Sequence, residues 1–348
     1  MHCTYMLQEI LEEEAVIRRC LEENKPALET LSTRFRQTTP SSIVFSARGS
    51  SLHAAHLGKY LSEEYLGLPA SLAEPSVVTM YHGRLNLGRS LVAGISQSGE
   101  GLDVCAVVER GNQTGGLTLA VTNTDSSRLA HSGDCCLRCL AGEEKSVSAT
   151  KSFAAQIALL TAAIAVLSGS EELCNTVHQL PDAVGAGLAL QGEIADIAQP
   201  YQNITDCVVL ARGNAYPIAR EWALKLQETC KIRAHAYPAS NFLHGPVAML
   251  GPKTPVFLLA LDKRTDSDML HLAGRAHQAG SPVLVVTNKP NLGQDAGAPA
   301  ILLPEWCEGL LGAAAAIPII QLFSCGLSLS KGFNPDVPPG LSKVTVTK

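Results

Sequence analysis

Three short patterns recur in this chain at almost one spacing, and that recurrence restricts the fold more than any other feature. Ala47-Arg48-Gly49 returns as Ala211-Arg212-Gly213, 164 residues on. Val121-Thr122-Asn123 returns as Val286-Thr287-Asn288, 165 residues on. Glu144, ahead of one long apolar run, returns 164 residues later as Glu308, ahead of another. Anchors at nearly one offset predict a duplicated domain. Each half should then be a complete unit of strands and helices.

Strand patterns near these anchors are followed by turns and helices. Ile43-Val44-Phe45 is an apolar run of strand length, broken by Ser46-Ala47-Arg48-Gly49-Ser50-Ser51 before a helical pattern over 52–65. Leu91-Val92-Ala93-Gly94-Ile95 is broken by Ser96-Gln97-Ser98-Gly99, and a helical pattern resumes at Leu102. Ser76-Val77-Val78, Leu117-Thr118-Leu119-Ala120-Val121 and Val208-Val209-Leu210 read as further strands. Strands alternating with helices predict α/β architecture: two tandem doubly wound, flavodoxin-like parallel sheets in three α/β/α layers. Residues 1 to about 37 read as helical. The boundary is predicted in the helical connection around Glu171 to Gln199, near Pro181. That gives a first domain over 1–190, with the N-terminal helix, and a second over 191–348 with the C-terminal tail.

Composition excludes several classes. With 348 residues, 46% hydrophobic and 17% charged, the chain has material for a large core. A net charge of -5 carries no basic footprint, so no nucleic-acid partner is expected. The 11 cysteines are scattered, several within apolar runs, which predicts buried reduced thiols. Cys136 and Cys139 have CxxC spacing but no second pair at zinc-site spacing, so no metal is expected. Residues 1–11 lack the form of a signal peptide. The apolar runs 153–168 and 310–323 fall short of a bilayer span and carry Gln156 and Pro318. They are expected in a core or a subunit interface of a cytoplasmic protein, with no membrane partner.

The chemistry gathers in the polar turns. A strand, a tight polar turn and a helix can aim backbone N–H groups and hydroxyls at one anion. Ser96, Gln97, Ser98, Gly49, Ser50 and Ser51 thus form either a phosphate cradle or ordinary helix caps. His53 and His56 lie one helical turn apart without a nearby carboxylate, which favours a partly exposed helix face over a metal site. The polar run 141–151 either closes over a bound sugar or caps the helix after it. Glu221, Lys225 and Glu228 recur at i, i+4 and i+7, so they share one helix face. Taken alone, such a face is most often solvated. His244 stands beside a turn in Asn241-Phe242-Leu243-His244-Gly245-Pro246. Gly111 to Gly116 is glycine-rich but follows a helix, so it does not fit a dinucleotide fingerprint, and no cofactor is expected.

Six of these stretches, in order, resemble the sugar isomerase (SIS) family. They are Gly49-Ser50-Ser51, Ser96-Gln97-Ser98-Gly99, Ala149-Thr150-Lys151, Ala223-Leu224-Lys225-Leu226-Gln227-Glu228, His244-Gly245-Pro246 and Leu341-Ser342-Lys343-Val344-Thr345. The resemblance runs over nearly all of the chain from Ile43. It is nearest to the isomerase half of glucosamine-6-phosphate synthase and to isomerising glucosamine-6-phosphate deaminase. It implies a phosphorylated amino-sugar substrate, with Ser51, Ser96, Gln97 and Ser98 on its phosphate. Gly49, Ser50 and Val147 would contact the sugar. Glu228 would move a proton between C1 and C2, steadied by Lys225. A closed pocket and a neighbouring cation pull such a carboxylate's proton affinity in opposite directions. His244 would open the ring, reaching the partner subunit's site in a homodimer. Lys343 would form a Schiff base with an open-chain ketose.

With the pattern beginning within about forty residues of Met1, no glutaminase domain is expected ahead of it, and deamination of glucosamine 6-phosphate to fructose 6-phosphate and ammonia is the expected reaction. Arg48 and Pro75-Ser76-Val77-Val78-Thr79 also resemble the deaminase group. Alternatives are a fructosamine-6-phosphate deglycase, a galactosamine-6-phosphate deaminase, and a non-catalytic sugar-phosphate sensor, which could dispense with Glu228 and Lys343. Three departures bear on the site. Gly101 replaces a Thr at the cradle, Ala149 replaces a Ser, and Asn241 stands where relatives often carry Glu.

Overall fold

The computed structural model describes residues 4–343. It contains two five-stranded sheets, and every pairing between their strands is parallel. The first holds β1 (Ser42–Ala47), β2 (Ala70–Leu72), β3 (Ser90–Ser96), β4 (Leu117–Thr122) and β5 (Cys135–Arg138) in the order β2-β1-β3-β4-β5. The second holds β6 (Asp206–Ala211), β7 (Arg233–Pro238), β8 (Val256–Ala260), β9 (Val283–Thr287) and β10 (Ala300–Leu302) in the order β7-β6-β8-β9-β10. Both sheets therefore follow the 2-1-3-4-5 order of flavodoxin-like folds. Strands β3 and β4 are apolar nearly throughout and buried, as strands covered on both faces must be.

Two compact units carry these sheets. The first-sheet unit comprises Ala15–Glu144, Lys151–His178 and, from the tail, Ser342 and Lys343. The second-sheet unit comprises residues 4–14, Lys145–Thr150 and Gln179–Leu341. Hydrogen bonds explain why the short segments join the second-sheet unit. The Glu9 carboxylate accepts from the backbone N–H groups of Lys145 and Ser146. Asp336 accepts from the N–H groups of Tyr5 at 3.0 Å and Met6 at 2.8 Å, and its carbonyl takes the Val147 N–H at 3.0 Å.

Each unit has its own core. In the first, the helix Gly49–Leu61 packs on the helix Lys151–Ser168. A Cβ at Gly58 would stand 3.0 Å from the Phe45 ring, so glycine permits that helix to lie close to β1. In the second, the helix Tyr216–Cys230 packs on the helix Leu310–Ser330, where Ser328 Oγ donates to Thr229 O at 2.8 Å. Trp222 stacks on Phe257 with centroids 4.9 Å apart, and Phe323 meets both rings edge-on. The two long apolar helices are each largely buried and belong to these cores.

Two local expectations need correction. Ser76-Val77-Val78 is not a strand but part of a helical turn, Ser76–Thr79. Pro75 supplies φ −59° and accepts from the Thr79 N–H at 3.0 Å, which nucleates a turn despite the paired valines. The edge strand is Ala70–Leu72, too short and too poor in β-branched residues to stand out. His53 is buried, not on an exposed face, while His56 stacks on Tyr60 at 5.5 Å. The end of the tail motif, residues 344–348, lies outside the described residues.

Candidate functional site

In the first-sheet unit, β1 and β3 are hydrogen-bonded neighbours, with Ala47 paired to Ile95. From these strands the chain turns away in opposite directions, to β2 and to β4, which makes the crevice beyond them the topological switch point. Gly49, Ser50 and Ser51 leave β1 there, and Ser96, Gln97 and Ser98 leave β3 beside them. The turns meet because register, not sequence distance, aligns the two strand ends.

Each turn is held by its own bonds. Gly49 has φ +54° and opens a 13-residue helix whose N-terminus no side chain caps. The first-turn N–H groups of such a helix have no intrahelical partner and favour an anion. Ser51 is buried, and Ser96, Gln97 and Ser98 are half-buried. Ser96 Oγ accepts the Gly99 N–H at 3.1 Å, and Gln97 O accepts the Asn123 N–H at 3.1 Å. Gly99 has φ +68°, and a Cβ there would sit 2.1 Å from Ser127 Oγ, so the turn admits glycine alone. Arg48 Nε donates to Asp103 Oδ2 at 2.8 Å, tying the β1 turn to the helix Leu102–Gln113 after the β3 turn.

Lys343 also belongs to this unit. Its Nζ lies 2.9 Å from Oε2 of Glu144, whose side chain is fully buried. Glu144 accepts in addition from Ser152 N at 3.1 Å and Ser152 Oγ at 2.8 Å.

In the second-sheet unit, Glu221, Lys225 and Glu228 line one face of the helix Tyr216–Cys230, as their spacing requires, but that face is not solvated. Lys225 and Glu221 are fully buried, and Glu228 retains 22% side-chain exposure. Lys225 Nζ stands 2.6 Å from Glu228 Oε2 and 3.3 Å from Glu221 Oε1, and donates to the Ala149 carbonyl at 3.3 Å. Burial opposes the charge on Lys225, but Glu228 and Glu221 outweigh it and hold the ammonium above the ordinary lysine range. The cluster is thus a fixed cation with one carboxylate reaching solvent. Val147 is half-buried, its N–H committed to Asp336 O. His244 is exposed on the turn before Gly245, its N–H bonded to Asn241 O at 3.1 Å.

The switch point of the second sheet is built differently. Arg212 precedes Gly213, with φ +62°, and pairs with Asp268. After β8, however, comes Asp262, held by Arg264 at 2.6 Å, where the first sheet has serines. A carboxylate there is unsuited to phosphate.

The structure brings Gly49, Ser50 and Ser51 beside Ser96, Gln97 and Ser98, and separately brings Lys225 to Glu228. Three partners escaped sequence reasoning: Asp103, Glu144 as the partner of Lys343, and the Ala149 carbonyl. The repeat held a signal for the first, since Arg48–Asp103 and Arg212–Asp268 are matching pairs, their arginines 164 and their aspartates 165 positions apart. Cys136 and Cys139 are free thiols, and among the described residues no three His, Cys, Asp or Glu side chains gather as a metal site.

Comparison with known proteins follows the same lines. The SIS domain, as a family model, matches residues 38–166 and 203–292. Glutamine–fructose-6-phosphate aminotransferase (isomerizing) from Corynebacterium diphtheriae is 30% identical over 98% of this chain. The chain spans 58% of the length of that relative. Among solved structures, the C-terminal domain of glucosamine-fructose-6-phosphate aminotransferase from Francisella tularensis has a TM-score of 0.86 at 24% identity, covering 97% of this chain and 99% of that one. Glucosamine-6-phosphate deaminase from Thermotoga maritima has a TM-score of 0.77 at 22% identity, covering 99% of this chain and 100% of that one. At these identities the likeness concerns the fold.

Proposed function

Since this chain belongs to the SIS domain family and is homologous to the isomerase domain of glucosamine-fructose-6-phosphate aminotransferase, we propose that it is a phosphosugar isomerase that deaminates glucosamine 6-phosphate. The observation that carries this reading is the Glu221–Lys225–Glu228 cluster, a buried cation gripping a carboxylate that still reaches solvent. A solvated helix face would have no use for a buried lysine, whereas aldose–ketose chemistry needs both a proton shuttle and a fixed positive charge.

In this reading Ser51, Ser96, Gln97 and Ser98 hold the phosphate, and Gly49, Ser50 and Val147 contact the sugar. His244 opens the ring. Glu228 takes the proton from C2 of the open-chain aldose, and Lys225 steadies the negative charge that develops. Return of a proton to C1 leaves an imine at C2. Lys343 exchanges with that imine and expels ammonia, and water then releases fructose 6-phosphate. The aminotransferase relative is named for fructose 6-phosphate and for isomerisation, which supports this substrate class. We place the enzyme in the cytoplasm as a homodimer.

Incubation of the purified protein with glucosamine 6-phosphate should release ammonia and fructose 6-phosphate in equal amounts. Glu228→Gln should lower the rate by about 10²–10⁴-fold while phosphosugar binding persists. Ammonia release only from galactosamine 6-phosphate would change the sugar. Turnover of a fructosamine 6-phosphate adduct without ammonia would make the protein a deglycase. Binding without turnover of any of them would make it a sensor.

A further inference from the structure

We propose that Glu144 is the positioning residue of the tail lysine: it docks Lys343 and accepts the proton that Lys343 must lose to react. The two side chains come from positions 199 apart, yet Nζ and Oε2 lie at 2.9 Å. Glu144 is fully buried, and Lys343 is 26% exposed. The carboxylate is fixed before the tail reaches it, because Ser152 donates to it through both N and Oγ at the start of the helix Lys151–Ser168. A carboxylate at a helix N-terminus is well placed, but a buried one still calls for a cation.

The other half of the molecule shows where that cation would ordinarily come from. Glu308 occupies the matching place in the second sheet's unit. It accepts from Asn288 Nδ2 at 2.9 Å and pairs with Lys289 at 3.3 Å, the residue next to Asn288 in the chain. In the first half the matching asparagine, Asn123, binds Gly142 O and the Ala141 N–H instead, and the residue after it is Thr124. No lysine follows Asn123 as Lys289 follows Asn288, and the cation seen on the first-half carboxylate is the tail's Lys343.

The chemistry follows from the pairing and, in this part, rests on the function proposed above. Imine formation needs a neutral amine. The Lys343 ammonium gives a proton to the Glu144 carboxylate, and the amine nitrogen then adds to C2 of the substrate imine, from which ammonia leaves; with fructose 6-phosphate supplied directly, the same nitrogen adds to the C2 carbonyl. The carbonyl oxygen leaves as water, and a C=N bond remains. A carboxylate at hydrogen-bond distance thus both stores the lysine as an ion pair and provides its base.

The test uses the full chain and two variants, Glu144→Gln and Lys343→Met. The Gln side-chain oxygen can still accept from Ser152, so Glu144→Gln should keep the melting temperature. Hydrogen exchange of residues 334–343, without sugar, should quicken about tenfold or more in both variants. Unchanged exchange in both overturns the docking, whatever the enzyme's substrate. Fructose 6-phosphate with sodium borohydride is the second measurement, since hydride reduces the C=N bond to a stable amine detectable on Lys343 by mass. Labelling should be about 10–100-fold slower in Glu144→Gln than in the unmodified chain. Equal labelling of the two overturns the positioning role. Faster tail exchange with no adduct even in the unmodified chain would overturn the imine chemistry of Lys343 and leave the docking intact.

Discussion

Arg48 and Asp103 stand 55 positions apart and are joined by an Nε–Oδ2 contact of 2.8 Å that braces the two turns of the candidate phosphate cradle. Asp103 is nearly buried, and it also accepts the Val104 N–H at 2.9 Å through its other oxygen. Arg48 is half-exposed, so the pair contributes little to global stability but fixes one turn against the other. Asp103→Asn should raise KM for the phosphosugar by about 3–10-fold with kcat nearly unchanged, the pattern of lost uniform binding. A steady-state comparison with the unmodified chain checks it.

Two glycines of the same turn should respond in opposite directions. At Gly99 the φ of +68° and a would-be Cβ 2.1 Å from Ser127 Oγ leave no room for a side chain. Gly99→Ala should therefore disrupt the turn and abolish measurable phosphosugar binding. At Gly101, with φ −62°, the nearest atom to an added Cβ is Asp103 Oδ1 at 3.5 Å. Gly101→Thr should fold normally and add a hydroxyl beside the cradle, tightening binding by about 1 kcal/mol, or roughly fivefold. Calorimetric titration of both variants with glucosamine 6-phosphate reads the contrast.

Removing the buried cation should be costly. Lys225→Met leaves the Glu221 carboxylate in the core without the ammonium at 3.3 Å. Breaking a buried pair from one side destabilises by about 3–5 kcal/mol. The urea midpoint should fall accordingly, and Glu221→Gln combined with Lys225→Met should recover part of the loss. A double variant no more stable than Lys225→Met would show that Glu221 carries no buried charge.

Acid should loosen the loop after β8 and the turn ahead of the helix Leu310–Ser330 through Asp262 and Glu308. Burial raises the proton affinity of both. Arg264 outweighs it at Asp262, and Asn288, the Lys263 N–H and Lys289 outweigh it at Glu308, so both carboxyls sit below the ordinary range. A carboxyl depressed in the folded state contributes stability above the unfolded value, about pH 4. That contribution is lost as pH falls from there through the folded value. Asp262→Asn with Glu308→Gln should lower the urea midpoint at pH 7 and flatten its further decline below about pH 4.

The sequence alone determined the repeated strand–turn–helix pattern, the parallel α/β class and the shared face of Glu221, Lys225 and Glu228, because periodicity and turn chemistry are properties of neighbours along the chain. It misread Ser76-Val77-Val78, where one Pro-initiated hydrogen-bonded turn outweighed the strand preference of two valines. It favoured a solvated face for Lys225, because the same i, i+4, i+7 spacing is written whether the helix meets water or a core. Only the tertiary structure decided that burial, and only it joined Arg48 to Asp103 and Lys343 to Glu144. Those contacts arise from strand register and from the return of the chain end. Their partners lie 55 and 199 positions apart, beyond the reach of local pattern.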